Sequence, residues 1–155
     1  MRPGSHRGPS AIYMFHKGHG ILMDSAEGSY GQLYDHFGGE KEVIDKILIK
    51  TRVVFITHIH GDHQLGILKV LHERDQLMSE EGEAENKIYV VTPSPMMSWM
   101  EAFAVENLKR PGLVVLVPAE NLNPENTYYY ECNLPPDEQY TGEERCPSKN
   151  LEEID

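Results

Sequence analysis

Apolar positions along the chain come in short runs whose spacing switches between two and three-to-four residues, and each switch marks a new element. Residues 10–16 (SAIYMFH) and 20–24 (GILMD) predict two strands, with His16-Lys17-Gly18-His19-Gly20 supplying the turn glycines of a hairpin. Tyr30, Leu33, Tyr34 and Phe37 recur at helical spacing, and Gly38-Gly39 closes that helix. Val43, Ile44, Ile47 and Leu48 give a second short amphipathic helix. The compact run at 52–57 (RVVFIT) has the β-branched composition of a strand buried in the middle of a sheet. Leu65, Leu68, Leu71, Leu77 and Met78 then trace a helix, and residues 79–86 (SEEGEAEN) read as an exposed acidic loop. A strand at 88–92, the Pro93-Ser94-Pro95 break and a helix carrying Met96, Met97, Met100, Phe103 and Ala104 follow. Strands at 113–117, ended by Pro118, and at 127–132 complete the series, with no internal repeat. An opening hairpin followed by alternating strands and helices predicts a sheet with helices packed on it.

The chain has 155 residues, enough for one domain. Its formal net charge of -11 disfavours a polyanion partner until the charge is placed along the sequence. Lysine and arginine nearly balance aspartate and glutamate through residue 72, and most of the excess acid lies beyond residue 119. Residues 134–155 combine Pro and Glu with few large apolar groups, which predicts an acidic loop or disordered tail after a domain spanning 1–133. No run approaches the roughly 18 to 20 apolar residues of a bilayer helix, and residues 1–10 lack the apolar core of a secretory signal. The expected setting is intracellular, with no membrane. Cys132 and Cys146 make neither a disulfide framework nor a cysteine zinc site, which fits a reducing compartment.

Chemistry concentrates in His58-Ile59-His60-Gly61-Asp62-His63. Three histidines and an aspartate in this pattern would arise by chance in roughly one chain in a thousand of this composition. If strand 52–57 persists, His58 and His60 leave the same face, and Gly61 removes a side chain where the backbone must turn to bring Asp62 and His63 back. Imidazole suits zinc. Four such ligands can serve two ions, the arrangement that clamps attacking and leaving oxygens during hydrolysis. Asp24 reads as a turn residue ending its strand.

The segment THIHGDHQLG (57–66) resembles the His-x-His-x-Asp-His signature of the metallo-β-lactamase superfamily. ILMDSAEGSYGQL (21–33) resembles the more discriminating Asp-Cys-Gly-Glu-Gly-Thr-x-x-Gln-Leu segment of the ribonuclease Z (tRNase Z) family. GPSAIYMF (8–15) and IYVVTPSPMMSWM (88–100) extend the similarity, which covers about residues 8–117 and is greatest to the carboxyl half of the long form. The resemblance implies an α+β fold, the four-layer αβ/βα metallo-hydrolase sandwich, with only its N-terminal half or so present. It implies an endoribonuclease that removes the 3′ trailer from precursor tRNA, working in nucleus or mitochondrion. His58 and His60 would hold one zinc, Asp62 and His63 the other, with Asp62 also catalytic and Asp24 in the supporting role. Glu27 and Gln32 match the family pattern but read as well as surface positions.

Departures from the family bear on activity. Ser25-Ala26 stands where the family has Cys-Gly, and Ser29-Tyr30 replaces its Thr. The family completes its ligand set with later histidines and an aspartate, whereas no histidine follows His72 and Asp75, Asp137 and Asp155 lie in no matching context. The expectation is therefore a fragment with an incomplete set of ligands and weak or no activity by itself, completed by the remainder of the polypeptide or by a second copy. Two readings compete with the nuclease: a thioester or lactone hydrolase on the same scaffold, and a non-catalytic scaffold or subunit. Lys17, Lys50, Arg52 and Lys69 are the basic residues near the motif, available to RNA or simply solvated.

Overall fold

The computed structural model describes residues 10–81, 86–122, 128–131 and 149–150. Strand β1 (Ile12–His16) and strand β2 (His19–Met23) form the hairpin, with His16 opposite His19. Lys17 and Gly18 both adopt positive φ, 47° and 86°, the two-residue geometry that matches the twist of the flanking strands. Helices α1 (Ser29–His36) and α2 (Lys41–Lys50) lead directly into β3 (Thr51–Phe55). A single turn, α3 (Gly61–Gln64), precedes the long α4 (Ile67–Glu81). Strand β4 (Ile88–Thr92), a 3₁₀ turn at Ser94–Met96, α5 (Met97–Asn107) and β5 (Val114–Pro118) follow. Strands β6 (Tyr128–Glu131) and β7 (Lys149–Asn150) complete one seven-stranded sheet in chain order. Pairing is parallel from β2 through β5 and antiparallel at both ends.

The alternation of side chains along the strands divides the sheet into two faces. Leu22, Val54, Ile56, Val90 and Leu116 bury against Ile44 and Leu48 of α2, Ile67, Val70 and Leu71 of α4, and Met100 and Ala104 of α5. Val91, Val115 and Val117 form a smaller cluster on the opposite face with Val53, Phe55 and Tyr89. Helices thus cover one face, which gives a helix layer and a sheet layer, half of the four-layer arrangement. At the hairpin edge Ile12, Met14 and Phe15 are exposed. Among the described residues no helix is long and apolar enough to cross a membrane.

Three expectations change. The strand at 52–57 stops at Phe55, and the chain bends at His58 and Ile59, so His58 and His60 are not consecutive residues on one strand face. The acidic stretch starts as helix, because α4 runs to Glu81 before residues 82–85, which lie outside the described residues; glutamate is a good helix former. Lys149–Asn150, within the stretch read as a tail, pairs with Tyr128 and Tyr129 at the sheet edge. The rest of 134–155, and both cysteines, lie outside the described residues.

Buried polar groups fasten the layers. Arg74 of α4 is 2% exposed and donates from one guanidinium nitrogen to the Asn86 backbone carbonyl at 2.6 Å and to its side-chain Oδ1 at 2.8 Å. Asp75 beside it accepts from the Lys109 and Arg110 backbone N–H groups at 2.8 and 2.9 Å, which pins the loop between α5 and β5.

Candidate metal centre

The motif sits beyond the carboxyl end of β3, the side of a parallel sheet where loops gather. Ile56 still donates to the Val91 carbonyl at 2.8 Å, so the backbone remains tied to β4 for one residue after the strand ends. His60 is extended (φ -68°, ψ 138°) and its carbonyl accepts from the His63 N–H at 2.9 Å. That one helical turn, rather than a positive-φ glycine, brings His63 back toward His58. Gly61 fits because a Cβ there would stand 3.1 Å from Leu65 Cδ1.

The rings converge. His58 lies with its centroid 3.9 Å from that of His63 and 4.7 Å from that of His60. His58 and His63 are half-buried, while His60 and Asp62 are exposed. Asp62 Oδ2 lies 3.9 Å from His63 Nε2.

Beneath the rings, at the end of β2, is Asp24, 7% exposed and in the left-handed region at φ 55°. Its own N–H donates to the Phe55 carbonyl at 2.8 Å, holding the kink against β3. The carboxylate accepts from the Thr57 backbone N–H at 2.8 Å, from the Thr57 hydroxyl at 2.9 Å to either oxygen, and from His63 Nδ1 at 2.8 Å. Burial pushes the Asp24 carboxyl up, but the Thr57 and His63 hydrogen bonds outweigh it and hold the group below its ordinary range. With Nδ1 donating to Asp24, the His63 tautomer leaves Nε2 free on the side facing Asp62.

Two backbone bonds fix this floor to the motif: Ser25 N–H to the His63 carbonyl and Gly66 N–H to the Ser25 carbonyl, both 2.7 Å. Gly66 is required by the closeness of that approach, since a Cβ would fall 1.8 Å from the Ala26 carbonyl oxygen. Neither Thr57 nor Gly66 stands out from composition. A Thr closing a β-branched run directly before a ligand motif, and a Gly three residues past that motif, are the signals they leave.

His58, His60, Asp62, His63 and Asp24 are therefore brought into one region. Glu27 is exposed in the turn before α1, and Gln32 is half-buried on α1. Of the basic residues, Lys50 lies 5.7 Å over the Phe15 ring, Arg52 hydrogen-bonds Asn86, and Lys69 pairs with Glu73 while lying 5.6 Å over Tyr30. Three of the four are thus engaged with the protein's own surface.

The donors fit zinc in kind: imidazoles with a nitrogen free, one carboxylate, and an outer carboxylate holding a ring in place. They fall short in number, since among the described residues no three His, Cys, Asp or Glu side chains are grouped to hold an ion.

No family model matches the chain. It is 30% identical over 102 residues to the zinc phosphodiesterase ELAC protein 2 of Macaca fascicularis, covering 66% of this chain and 12% of that protein. It is 33% identical over 104 residues to the mitochondrial tRNase Z TRZ3 of Arabidopsis thaliana, covering 66% of this chain and 11% of that protein. The chain thus spans about a tenth of the length of these relatives. Among solved structures, the long-form RNase Z from yeast superposes with a TM-score of 0.63 at 21% identity, over 81% of this chain and 18% of that one. Human tRNase Z, short form, superposes with a TM-score of 0.52 at 21% identity, over 88% and 52%. The expected sheet with helices packed on it is observed, and its fold is shared with these RNase Z and tRNase Z structures.

Proposed function

We propose, for a chain related in sequence to the tRNase Z proteins and sharing their fold, that it is the metal-motif segment of a zinc-dependent endoribonuclease that removes the 3′ trailer from precursor tRNA. In this reading His58 and His60 contribute to one zinc site and Asp62 and His63 to a second, with Asp62 also serving catalysis and Asp24 setting the His63 ring. The observation that carries the reading is the convergence of three imidazoles over a buried carboxylate. Bound zinc would supply an activated water and stabilise charge on the departing oxygen. The chain's own residues orient and support. Asp24 accepts a hydrogen bond from His63 Nδ1–H, the clamp at Ser25 and Gly66 holds the floor, and the helix layer behind β3 keeps the motif loop at the sheet end.

Among the described residues no further ligands group with these four, and in this reading a second copy or the rest of a longer polypeptide supplies them. We read residues 1–133 as the partial domain and 134–155 as an acidic segment that follows it and returns Lys149–Asn150 to the sheet edge. The relatives named mitochondrial point to that compartment. Alone, the chain is expected to be weak or inactive, below the roughly 1 to 1,000 per second usual for enzymes.

The test supplies the chain with zinc and the complementary remainder of a tRNase Z relative, then offers precursor tRNA beside thioester and lactone substrates. Trailer removal that disappears in His58→Ala is the expected result. Ester turnover without RNA cleavage overturns the reading in favour of another hydrolase.

A further inference from the structure

We propose that Thr57 is a positioning residue whose hydroxyl relays the Asp24 carboxylate to His58, so that one buried aspartate fixes the tautomer of two histidines at once. The geometry is a four-part chain. Thr57 Oγ1 lies 2.9 Å from each Asp24 oxygen and 2.9 Å from His58 Nδ1, while His63 Nδ1 lies 2.8 Å from Asp24 Oδ2.

Hydrogen counting gives the direction. A carboxylate accepts only, so the Thr57 hydroxyl donates its single hydrogen to Asp24. Its lone pair then faces His58 Nδ1, which must carry a proton for the 2.9 Å contact to be a hydrogen bond. The opposite arrangement would point the Thr57 hydrogen at His58 and leave two oxygens with facing lone pairs at 2.9 Å. His58 is therefore held as the Nδ1–H form with Nε2 bare, as is His63 by direct contact with the same carboxylate. This reverses the default of a solvated neutral histidine, which favours Nε2–H. The backbone reinforces the relay: the Thr57 N–H also donates to Asp24, so the residue is anchored at two atoms and its hydroxyl cannot turn away without giving up part of that cradle.

The use of this device rests on the reading of His58 as a zinc donor, but the tautomer does not, and it is measured without metal. The experiment records long-range ¹⁵N–¹H imidazole spectra of the full metal-free chain at a pH where the rings are neutral, for the native sequence, Thr57→Val and Thr57→Ser. Expected is a His58 signature of Nδ1–H in the native chain, a shift of the majority population to Nε2–H in Thr57→Val, and its return in Thr57→Ser. His63 should keep Nδ1–H in all three, which also reports that the floor of the site has stayed folded. A His58 that is Nε2–H in the native chain, or unchanged in Thr57→Val, overturns the relay. A zinc titration of the same samples separates the two claims. Loss of zinc binding in Thr57→Val with rescue by Thr57→Ser ties the relay to the metal, while correct tautomers with no zinc response at His58 count against the metal reading alone.

Discussion

Asp24 Oδ2 stands 2.8 Å from Nδ1 of His63, 39 residues further along the chain. The contact joins the end of β2 to the single turn α3, two elements that share no strand pairing, and makes the carboxylate the common floor of the motif. In Asp24→Asn the amide can still accept from Thr57 but presents an N–H group where one of the donors now binds. A loss of about 2 kcal/mol in unfolding free energy is expected from the mismatched buried pair, read from denaturant midpoints of the two chains.

Acid stability follows from the same group. A carboxyl held below its ordinary value of 3.8 contributes stability that is fully present above the unfolded value and is lost as pH falls through the folded one. Unfolding midpoints of the native chain should decline as pH drops below about 4. The Asp24→Asn chain should lack this component, so the two curves should approach one another in acid.

Gly66 admits no side chain without moving the Ala26 carbonyl. Gly66→Ala should cost about 2 to 3 kcal/mol through displacement of the loop after β2. Hydrogen exchange at the Ser25 and Gly66 amides should accelerate, while amides of β4 and β5 keep their protection.

Ser25 is wholly buried, and its Oγ has no partner among the described residues. Ser25→Ala removes a desolvated hydroxyl and should stabilise the chain by about 1 kcal/mol. Thermal unfolding of the two chains at equal concentration checks this, and a lower midpoint for Ser25→Ala would mean that the hydroxyl is satisfied.

Asp75 ties α4 to the loop before β5 through two backbone N–H groups. Asp75→Ala leaves both donors without that acceptor and should cost about 2 kcal/mol. Zinc-dependent behaviour should be untouched, because the Asp75 carboxylate, midway along α4, is bonded to the Lys109 and Arg110 backbone and not to the motif.

Much of this was legible from spacing alone. The strand and helix series holds from β1 through β6, because apolar periodicity reports the buried face directly: Val54 and Val90 turn to the helices while Val53 and Val91 turn away. The motif was legible because its residue types and spacing are rare together, whereas Asp24 drew notice through the family resemblance and otherwise reads as a turn residue. The path of the backbone between His58 and His63 was not. Whether a strand persists past Phe55 depends on its neighbours, and β4 offers only the Val91 carbonyl beyond that point. Leu65 matched the helical spacing yet is 49% exposed, since the break at Gly66 separates it from the face that Ile67 begins. Thr57, Gly66 and Arg74 act through contacts with residues 12 to 41 positions away, which no local pattern encodes. The pairing of Lys149–Asn150 with β6 is of the same long-range kind.

The most direct test of the central claim is a zinc titration of the isotopically labelled full chain, following every histidine ring and the Asp62 carboxylate by NMR. Signals of His58, His60, Asp62 and His63 should move together on zinc addition, while His16, His19, His36 and His72 stay in place. Movement of the second group in preference to the first, or no response at any of the four motif residues, would contradict the assignment of this motif as a zinc centre.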